Sequence, residues 1–395
     1  MSPRLVRLLL GSLIVCSLGL RLIWLDYPGR VTFQDEGYYL SAVHKILYLP
    51  PLPNDPYPYS PMGVETVIEH PIGGKLLIAA STRAFGDHPF AWRLPSALFG
   101  TGVILLVFLL ARRLTGDPVT GLVAAVLIAL DPMMLVHSRM ATIEMFVVGF
   151  VLAGLFAYVE GRPILAGLLL AAAACCKLTG AGGVIAVVLF EAGRQWGARS
   201  RGVRLLRRLQ PAGVTALVFA VAFPALLWAL NRQAGFFKNP FDHLFYMYTY
   251  LSATFGFRPA GDIPTSRPWE WLWNAGQYSY LRQGALDLRA VYNPLLIFAA
   301  APVLCWAAVS ACRARSHAAL MAFAIAGGCY LPLIAGALQA PRHTYLYYFL
   351  PTLPAVAIGV AAILRAPRVP RAVLGAYLAA AAVCFVVYFP FRGWP

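Results

Sequence analysis

Charged residues are scarce in this sequence. Asp, Glu, Lys and Arg make up only 12% of the 395 residues, and just 16 residues are acids. Hydrophobic residues make up 60% of the chain. A composition this apolar excludes a water-soluble globular domain.

Cysteine gives no sign of a disulfide framework or of a metal centre. The number of cysteines, seven, is odd, and no CxxC spacing occurs. Every cysteine falls within or at the edge of an apolar run, so we expect these residues to act as small packing residues. They are Cys16, Cys175, Cys176, Cys305, Cys312, Cys329 and Cys384.

The sequence also shows no signal-peptide cleavage site after the first apolar run and no internal repeat. The first apolar run has a basic start, but no small-x-small site follows it, and Arg21 and Trp24 suit an interfacial anchor. We therefore expect this run to stay in the membrane. The two halves of the chain show no matching interrupted helices, which a secondary transporter would lead us to expect.

Long apolar runs recur from end to end. A helix needs about 20 residues to cross a bilayer, and lipid tolerates only helices or closed barrels. Because the runs are continuous and not alternating, the sequence predicts an all-α polytopic membrane protein with about eleven transmembrane helices. They lie near residues 6–25, 91–111, 119–138, 142–159, 163–178, 180–193, 211–231, 291–311, 317–337, 344–364 and 372–389.

The net charge of +16 is distributed unevenly. Every second connection is rich in arginine, and together these connections hold 16 of the 32 basic residues. This bias is typical of cytoplasmic loops, so we expect a cytoplasmic N-terminus. The alternate connections, which contain Asp35 and Glu36, then lie outside. Basic patches of this kind orient helices and contact anionic lipid, so we expect no nucleic-acid partner.

The non-membrane residues are concentrated on the outer side. We expect one integral membrane domain over 1–395 with two large extracytoplasmic segments, 26–90 and 232–290. Interfacial helices are predicted in "DEGYYLSAVHKILYL" and "FFKNPFDHLFYMYTYL". A new helix begins after His70-Pro71, and "PTSRPWEWLWN" is typical of a tryptophan belt.

Several ionisable residues lie within or against apolar runs at their outer ends. Each costs roughly 2.5–3.5 kcal/mol on insertion scales, so such residues pair with one another or face a polar cavity. Any one of them is more often structural than catalytic, but together they lie near Asp35, Glu36, His70 and Lys75. They are Arg21, Arg93, Asp131, His137, Arg139, Glu144, Lys177, Arg342 and His343.

Transfer of a sugar from a lipid phosphate suits a carboxylate beside several cations at a membrane edge. The phosphate leaves as a stable anion, so it needs cations and no general acid. One carboxylate suffices as the base that deprotonates the incoming hydroxyl. Direct displacement would invert the anomeric centre.

The order of the motifs resembles the GT-C membrane glycosyltransferases, specifically the protein O-mannosyltransferase (family 39-like) group. The matching pieces are "LRLIWLDYPGRVTFQDEGYYL", "EHPIGGKLLIA", "FAWRLPSALFG", "HSRMATIEMFVVGF", "ACCKLTG", "SRPWEWLW" and "PRHTYLYYFLPTLPA". The resemblance implies the GT-C fold in a bacterial-type member without the β-trefoil domain. Two departures are "HPIGGK" in place of HPPLGK, and Glu144 where Asp is usual.

The resemblance also implies roles for individual residues. Asp35 matches the catalytic base, and Glu36 orients the acceptor or the loop. Arg21 and Arg93 match arginines that support the acidic loop and the donor phosphate. The remaining candidates line the pocket or hold the phosphate: His70, Lys75, Glu144, Lys177 and Arg342.

These residues lead us to expect an inverting hexosyltransferase that moves mannose or a similar hexose from polyprenyl phosphate to a hydroxyl on the extracytoplasmic side. The expected acceptor is Ser or Thr of exported proteins. A lipid or cell-envelope glycan, as in the related aminoarabinose transferases, is the alternative, and a secondary transporter is a third. No metal is required, although His70, Asp35 and Glu36 leave a divalent cation open.

Overall fold

The computed structural model describes residues 1–31, 34–196, 203–253, 265–313, 316–339 and 344–391. Its first half contains α1 (Pro3–Leu22), α2 (Gln34–Leu47), α3 (Gly73–Phe85), α4 (Pro89–Thr115), α5 (Pro118–Ala129), α6 (Pro132–His137), α7 (Glu144–Val159) and α8 (Pro163–Cys176). Its second half contains α9 (Gly182–Trp196), α10 (Val203–Ala234), α11 (Pro240–Ala253), α12 (Pro294–Cys312), α13 (His317–Cys329), α14 (Leu331–Gln339), α15 (Leu353–Leu364) and α16 (Arg371–Val387).

Proline marks the start of many of these helices. A proline at the first turn costs no hydrogen bond, and a preceding Ser, Asp or Asn side chain caps the free amides. Asp117 accepts from Val119 and Thr120 at the start of α5, and Asn293 accepts from Leu295 at the start of α12. The residues that set the starts of these helices are therefore close to them in the sequence.

Five helices within the described ranges are long and apolar enough to cross a membrane. They are Pro3–Leu22, Pro89–Thr115, Leu209–Ala234, Pro294–Ala311 and His317–Gln339. Five shorter apolar helices accompany them: Pro118–Ala129, Glu144–Val159, Pro163–Cys176, Leu353–Leu364 and Arg371–Val387. This confirms an all-α polytopic membrane protein, and the number eleven stays a prediction.

The predicted span at 119–138 is interrupted in the structure. Helix α5 ends at Ala129 and α6 begins at Pro132, with Asp131 between them. The Asp131 carboxylate accepts from the amide of Met134 at 2.9 Å and from that of Asn293 at 2.8 Å. Asp131 therefore ties α6 to the start of α12 and has a structural role.

The core is formed by helices that pack closely around α4 and α7. Most of α7 is buried. By contrast, only 17% of the most apolar stretch of Leu209–Ala234, which belongs to α10, is buried within the protein. Helices α9 and α13 meet at Gly182 and Gly328, where a β-carbon on either glycine would collide with the other's backbone. The inner helices thus provide a rigid frame, and α10 keeps an apolar outer surface.

The segment 232–290 contains more structure than the sequence predicts, in the part that the structure describes. Residues Tyr278–Gln283 (β1) and Leu286–Ala290 (β2) form an antiparallel hairpin that the prediction missed. In β2, buried positions alternate with partly exposed ones. The tryptophan-rich segment forms a 3₁₀ helix, Pro268–Trp273. Trp271 is fully buried there, while Trp273 is 68% exposed, so only part of the segment presents a belt.

Candidate active site

Asp35 lies in the first turn of α2. Its Oδ2 accepts a hydrogen bond from the Tyr347 hydroxyl at 2.8 Å. Burial and the negative charge of Glu144 raise the pKa of Asp35 to about 6, against the opposing effects of Tyr347 and Lys177. A carboxylate with a pKa close to neutrality is suited to general-base chemistry.

Glu36, the neighbouring carboxylate, faces a different part of the protein. It is fully buried, and its Oε1 accepts from Arg93 Nε at 3.0 Å and from the Ala141 amide at 2.9 Å. The other Arg93 donors reach the carbonyl oxygens of Leu25 at 3.0 Å, Pro28 at 3.1 Å and Arg30 at 2.7 Å. Glu36 and Arg93 therefore hold the segment that leads into α2, which corresponds to the loop-supporting part of their expected roles.

Arg21 lies in the last turn of α1 and is 1% exposed. Its Nη1 donates to the Ser17 carbonyl at 3.1 Å, and its Nε lies near Gly100 of α4. The structure thus places Arg21 at the contact between α1 and α4. No contact of Arg21 with Asp35 occurs in the described part of the chain.

Arg139 performs the capping at this end of α1. Its guanidinium donates to four carbonyl oxygens, those of Leu20 at 2.7 Å, Arg21 at 2.9 Å, Ile23 at 2.7 Å and Trp24 at 2.9 Å. These carbonyls have no partner within the helix. A cation at a helix C-terminus is also favoured by the helix dipole.

Lys75 is directed towards the segment that precedes its own helix. It is fully buried, forms an ion pair with Glu65, and donates to the carbonyl oxygens of Val67 at 2.6 Å and His70 at 2.8 Å. All three ammonium protons are thereby used. Lys75 shapes the rim that carries His70, whose ring lies 6.3 Å from that of Tyr39.

Glu144 and Lys177 form a buried ion pair with an N–O distance of 3.0 Å. Lys177 Nζ also lies 4.6 Å from the ring centroid of Tyr348 and 5.6 Å from that of Tyr347. The pair borders a small cavity together with Val147, Thr179, Tyr347, Tyr348 and Pro351. A cation beside the near-neutral Asp35 is the arrangement that a phosphate leaving group requires.

Two residues of this site were missed by the sequence reasoning. Tyr347 lies within a motif that the sequence singled out, but no role was assigned to it. Glu69 directly precedes His70-Pro71, and burial followed by the charge of Asp35 raises its pKa to about 7. The signal for Glu69 was its place in the same motif as His70 and Lys75.

The expected phosphate ligand Arg342 lies outside the described residues. The divalent-cation site considered for His70, Asp35 and Glu36 does not fit the structure, because Glu36 is turned towards Arg93 and the Ala141 amide. Among the described residues, no group of three or more His, Cys, Asp or Glu side chains is placed to hold a metal ion.

Residues 69–228 match the family model of dolichyl-phosphate-mannose-protein mannosyltransferase. A polyprenol-phosphate-mannose–protein mannosyltransferase of Corynebacterium glutamicum is 34% identical over 94 residues, which are 24% of this chain and 18% of that protein. The corresponding protein of Mycolicibacterium smegmatis is 34% identical over 119 residues, 30% of this chain and 22% of that protein. The matched segments thus span less than a quarter of these relatives.

Solved structures extend the likeness to the whole chain at the level of the fold. The S. cerevisiae protein O-mannosyltransferase Pmt1-Pmt2 complex bound to the sugar donor superimposes with a TM-score of 0.76 at 11% identity, over 99% of this chain and 90% of that chain. ArnT from Cupriavidus metallidurans, bound to undecaprenyl phosphate, gives a TM-score of 0.58 at 18% identity, over 95% and 70%. The GT-C fold is therefore confirmed, and the matched segment confirms the resemblance to the protein O-mannosyltransferase group.

Proposed function

We propose that this chain is an inverting membrane glycosyltransferase that transfers mannose or a similar hexose from a polyprenyl-phosphate donor to a hydroxyl acceptor. The observation that carries the proposal is the position of Asp35, held by Tyr347 at 2.8 Å and facing the buried Glu144–Lys177 pair. Tyr347 contacts both groups, because Lys177 Nζ lies 5.6 Å from its ring centroid, so a base and a phosphate-neutralising cation lie close together.

Asp35 is the base in this mechanism. Its carboxylate takes the proton of the acceptor hydroxyl as the hydroxyl oxygen forms a bond to the anomeric carbon. The bond from that carbon to the phosphate oxygen breaks, and the phosphate leaves with the bonding electrons. Because attack and departure occur on opposite faces, the anomeric configuration is inverted.

Lys177 is the described cation best placed to receive the leaving phosphate. It is buried against Glu144, and its ammonium lies over the faces of Tyr347 and Tyr348. A phosphate that enters this cavity would compete with Glu144 for the same ammonium protons. Arg342 is proposed as a further phosphate ligand, on the resemblance alone.

The acceptor is proposed to approach beside the first turns of α2. A cavity of about 610 Å³ lies there, lined by Gly29, Arg30, Val31, Gly37, Tyr38, Leu52, Pro53, Asn54, Pro56, Trp92 and Tyr280. Gly37 and Tyr38 are next to the acidic pair in the chain. Asp35 and Tyr38 are three residues apart on α2 and share a helix face, so an acceptor hydroxyl in this cavity is proposed to reach Asp35.

The mature topology is proposed to have a cytoplasmic N-terminus and an extracytoplasmic active site. The arginine-rich connections support this orientation. The segments 26–90 and 232–290 would both lie outside, and they are joined by hydrogen bonds from Glu65 N to Ala234 O at 2.7 Å and between His243 Nε2 and Ile68 O at 2.9 Å. One membrane domain with two outer segments is the proposed organisation.

The proposed acceptor is a serine or threonine of an exported protein. The names of the matched relatives support this choice over a lipid or cell-envelope glycan, and the better superposition on a protein O-mannosyltransferase agrees with it. A secondary transporter is not proposed, because the two halves of the sequence show no matching interrupted helices.

The test uses the full chain in lipid nanodiscs with radiolabelled polyprenyl-phosphate mannose and a Ser/Thr-rich peptide. Asp35→Asn removes the base and keeps the shape, so we expect transfer to fall by about 10²–10⁴-fold. Asp242→Asn, at an exposed position on α11, is the matched control and should retain activity. Undiminished transfer by Asp35→Asn would remove Asp35 as the base, and label found in an envelope glycan instead of the peptide would correct the acceptor.

A further inference from the structure

Tyr280 lies at an irregular position of strand β1. Ser279 pairs with Arg289 on β2. The next pair joins Leu281 to Leu288, which leaves Tyr280 as the extra residue of a β-bulge. Tyr280 is also the buried position in the pattern of this strand. A bulge changes the direction of one side chain, and bulges are frequent beside active sites, so we examined what the Tyr280 side chain contacts.

The Tyr280 side chain borders the cavity of about 610 Å³ that is proposed to receive the acceptor. Arg30 borders the same cavity, and its Nη2 donates to Gln283 Oε1 at the end of β1 at 2.9 Å. On the other strand, the amide of Asp287 donates to the Pro390 carbonyl oxygen at 2.8 Å. Both strands of the hairpin are thus tied to the rest of the protein, and Tyr280 contributes a fixed part of the cavity wall.

The hydroxyl group of Tyr280 contacts α6. It lies 2.7 Å from His137 Nε2 and 3.8 Å from Met133 Sδ. Met133 and His137 are four residues apart, so they share one face of this helix. His137 is buried, and its Nδ1 has no hydrogen-bond partner in the described part of the chain. The Tyr280 hydroxyl is therefore the polar contact that fixes the orientation of the His137 ring.

The His137 ring in turn packs against the residue that holds the base. Its centroid lies 5.2 Å from that of the Tyr347 ring, with an angle of 40° between the two planes. The Tyr347 hydroxyl donates to Asp35 Oδ2 at 2.8 Å. Because a hydrogen bond weakens steeply when its angle is poor, the direction of the Tyr347 ring decides how well this hydroxyl serves Asp35. A chain of contacts thus runs from the cavity wall to the base.

We propose that Tyr280 joins the binding of the acceptor to the positioning of the base. Its ring is the surface against which the acceptor packs, and its hydroxyl holds the rings of His137 and Tyr347 in the orientation that Asp35 requires. This inference rests on the proposed function. Tyr280 is a positioning residue, because it acts on Asp35 through two other side chains.

The first experiment separates the ring of Tyr280 from its hydroxyl. The full chain in nanodiscs is assayed with radiolabelled polyprenyl-phosphate mannose and a Ser/Thr-rich peptide. Tyr280→Leu removes the ring, so we expect the acceptor KM to rise about 3–10-fold with the donor KM unchanged. Tyr280→Met carries the same expectation should Tyr280→Leu fold poorly. Tyr280→Phe keeps the ring and should leave both KM values unchanged. An acceptor KM that rises no more than the donor KM overturns the role of the ring.

The second experiment measures the effect of the hydroxyl on the acidic limb of the pH–rate profile. Tyr347 lowers the pKa of Asp35, so a weaker hydrogen bond moves this limb to higher pH. We expect Tyr347→Phe to move it by about 0.5–1 pH unit and Tyr280→Phe to move it by less. The double variant should move it no further than Tyr347→Phe alone, because Tyr280 acts through the hydroxyl that is then already absent.

The other ionisable groups around Asp35 are kept in these variants, so the limb reports on the Tyr347 hydrogen bond. The groups that interact with Asp35 besides Tyr347 are Glu144, Lys177, Glu69, Tyr39, Tyr278 and Tyr345.

Tyr330→Phe is the matched control for the loss of a buried tyrosine hydroxyl. Tyr330 is buried, its hydroxyl donates to the Pro268 carbonyl oxygen at 2.8 Å, and it does not border the acceptor cavity. This variant should leave the acidic limb and both KM values in place. An unmoved limb in Tyr280→Phe, additive shifts in the double variant, or an equal shift in Tyr330→Phe overturns the positioning role.

An infrared titration separates this inference from the proposed function. The carboxyl band of Asp35 is assigned by its loss in Asp35→Asn. Tyr280→Phe should raise the titration midpoint of that band whether or not the protein turns over. A wild-type protein that transfers no sugar refutes the proposed function, whereas an unmoved band in Tyr280→Phe refutes the link between Tyr280 and the base.

Discussion

Replacing Arg93 by lysine separates a supporting arginine from a phosphate ligand. Arg93 is fully buried and donates to Glu36 and to three carbonyl oxygens of the segment before α2. Lysine keeps the charge but has three donors in place of five and no planar fork. At least two of these hydrogen bonds are then lost, at about 1–3 kcal/mol for each buried group left without a partner.

We therefore expect Arg93→Lys to lower the free energy of unfolding by ~2–5 kcal/mol. Removing the charge as well, in Arg93→Met, should cost more, because Glu36 would stay buried without its partner and the pair alone accounts for ~3–5 kcal/mol. The double variant Glu36→Leu/Arg93→Met should lose less than the two single variants together. Unfolding of the wild type, Arg93→Lys, Arg93→Met, Glu36→Leu and the double variant is followed by fluorescence in a denaturing detergent titration.

Kinetics decide between the two roles of Arg93. Because it acts through the loop that carries Asp35, Arg93→Lys should lower kcat/KM for donor and acceptor by the same factor. Arg113→Gln, at an exposed ion pair with Glu160, is the control and should change stability by less than about 1 kcal/mol. Normal stability together with a selective rise in the donor KM would refute the reasoning and make Arg93 a phosphate ligand.

Two further predictions concern the cavity itself. Asp35 must be ionised to act as the base, so the rate should rise with pH through about 6. The Tyr347 hydrogen bond lowers this pKa, and Tyr347→Phe should move the acidic limb of the profile to higher pH; a limb that stays in place would argue against the contact. Lys177→Gln, combined with Glu144→Gln so that no buried charge is left alone, should raise the donor KM about 10–100-fold, the equivalent of ~1.5–3 kcal/mol for a charged hydrogen bond, with the acceptor KM unchanged. Equal rises in both KM values would make Lys177 structural.

Much of the fold could be read from the sequence because its signals are local. Apolar runs, and prolines that follow capping side chains, place most helices to within a few residues. The hairpin of β1 and β2 was missed because the surrounding segment was interpreted as a tryptophan belt at the membrane. Apolar and polar residues do alternate in Leu286–Ala290. The interruption at Asp131 could not be read locally, since it depends on the distant amide of Asn293.

The site was predicted less completely, for a geometric reason. Asp35 stood out because an acid beside apolar runs is costly. Both acids lie in α2, where neighbouring side chains point about 100° apart. Glu36 is therefore directed towards Arg93, whereas Asp35 is directed towards Tyr347. Glu69 lies 34 residues from Asp35 in the sequence, and its loop is anchored by Lys75 and His243 through contacts that the sequence does not reveal.

The buried charged side chains named above fall into two sets, according to whether their partners are mainly backbone carbonyls or other charged side chains. Arg93, Arg139 and Lys75 direct their donors at backbone carbonyls and at one carboxylate each at most, so a substrate phosphate would have to displace contacts that hold the loops. Asp35 and Lys177 instead interact with each other and with Glu144, around the Tyr347 side chain. Catalysis requires groups that gain a better partner in the transition state than in the free protein. Lys177 can exchange its contact with Glu144 for a leaving phosphate, and Asp35 can accept a hydroxyl proton, without loss of the backbone contacts that hold the loops.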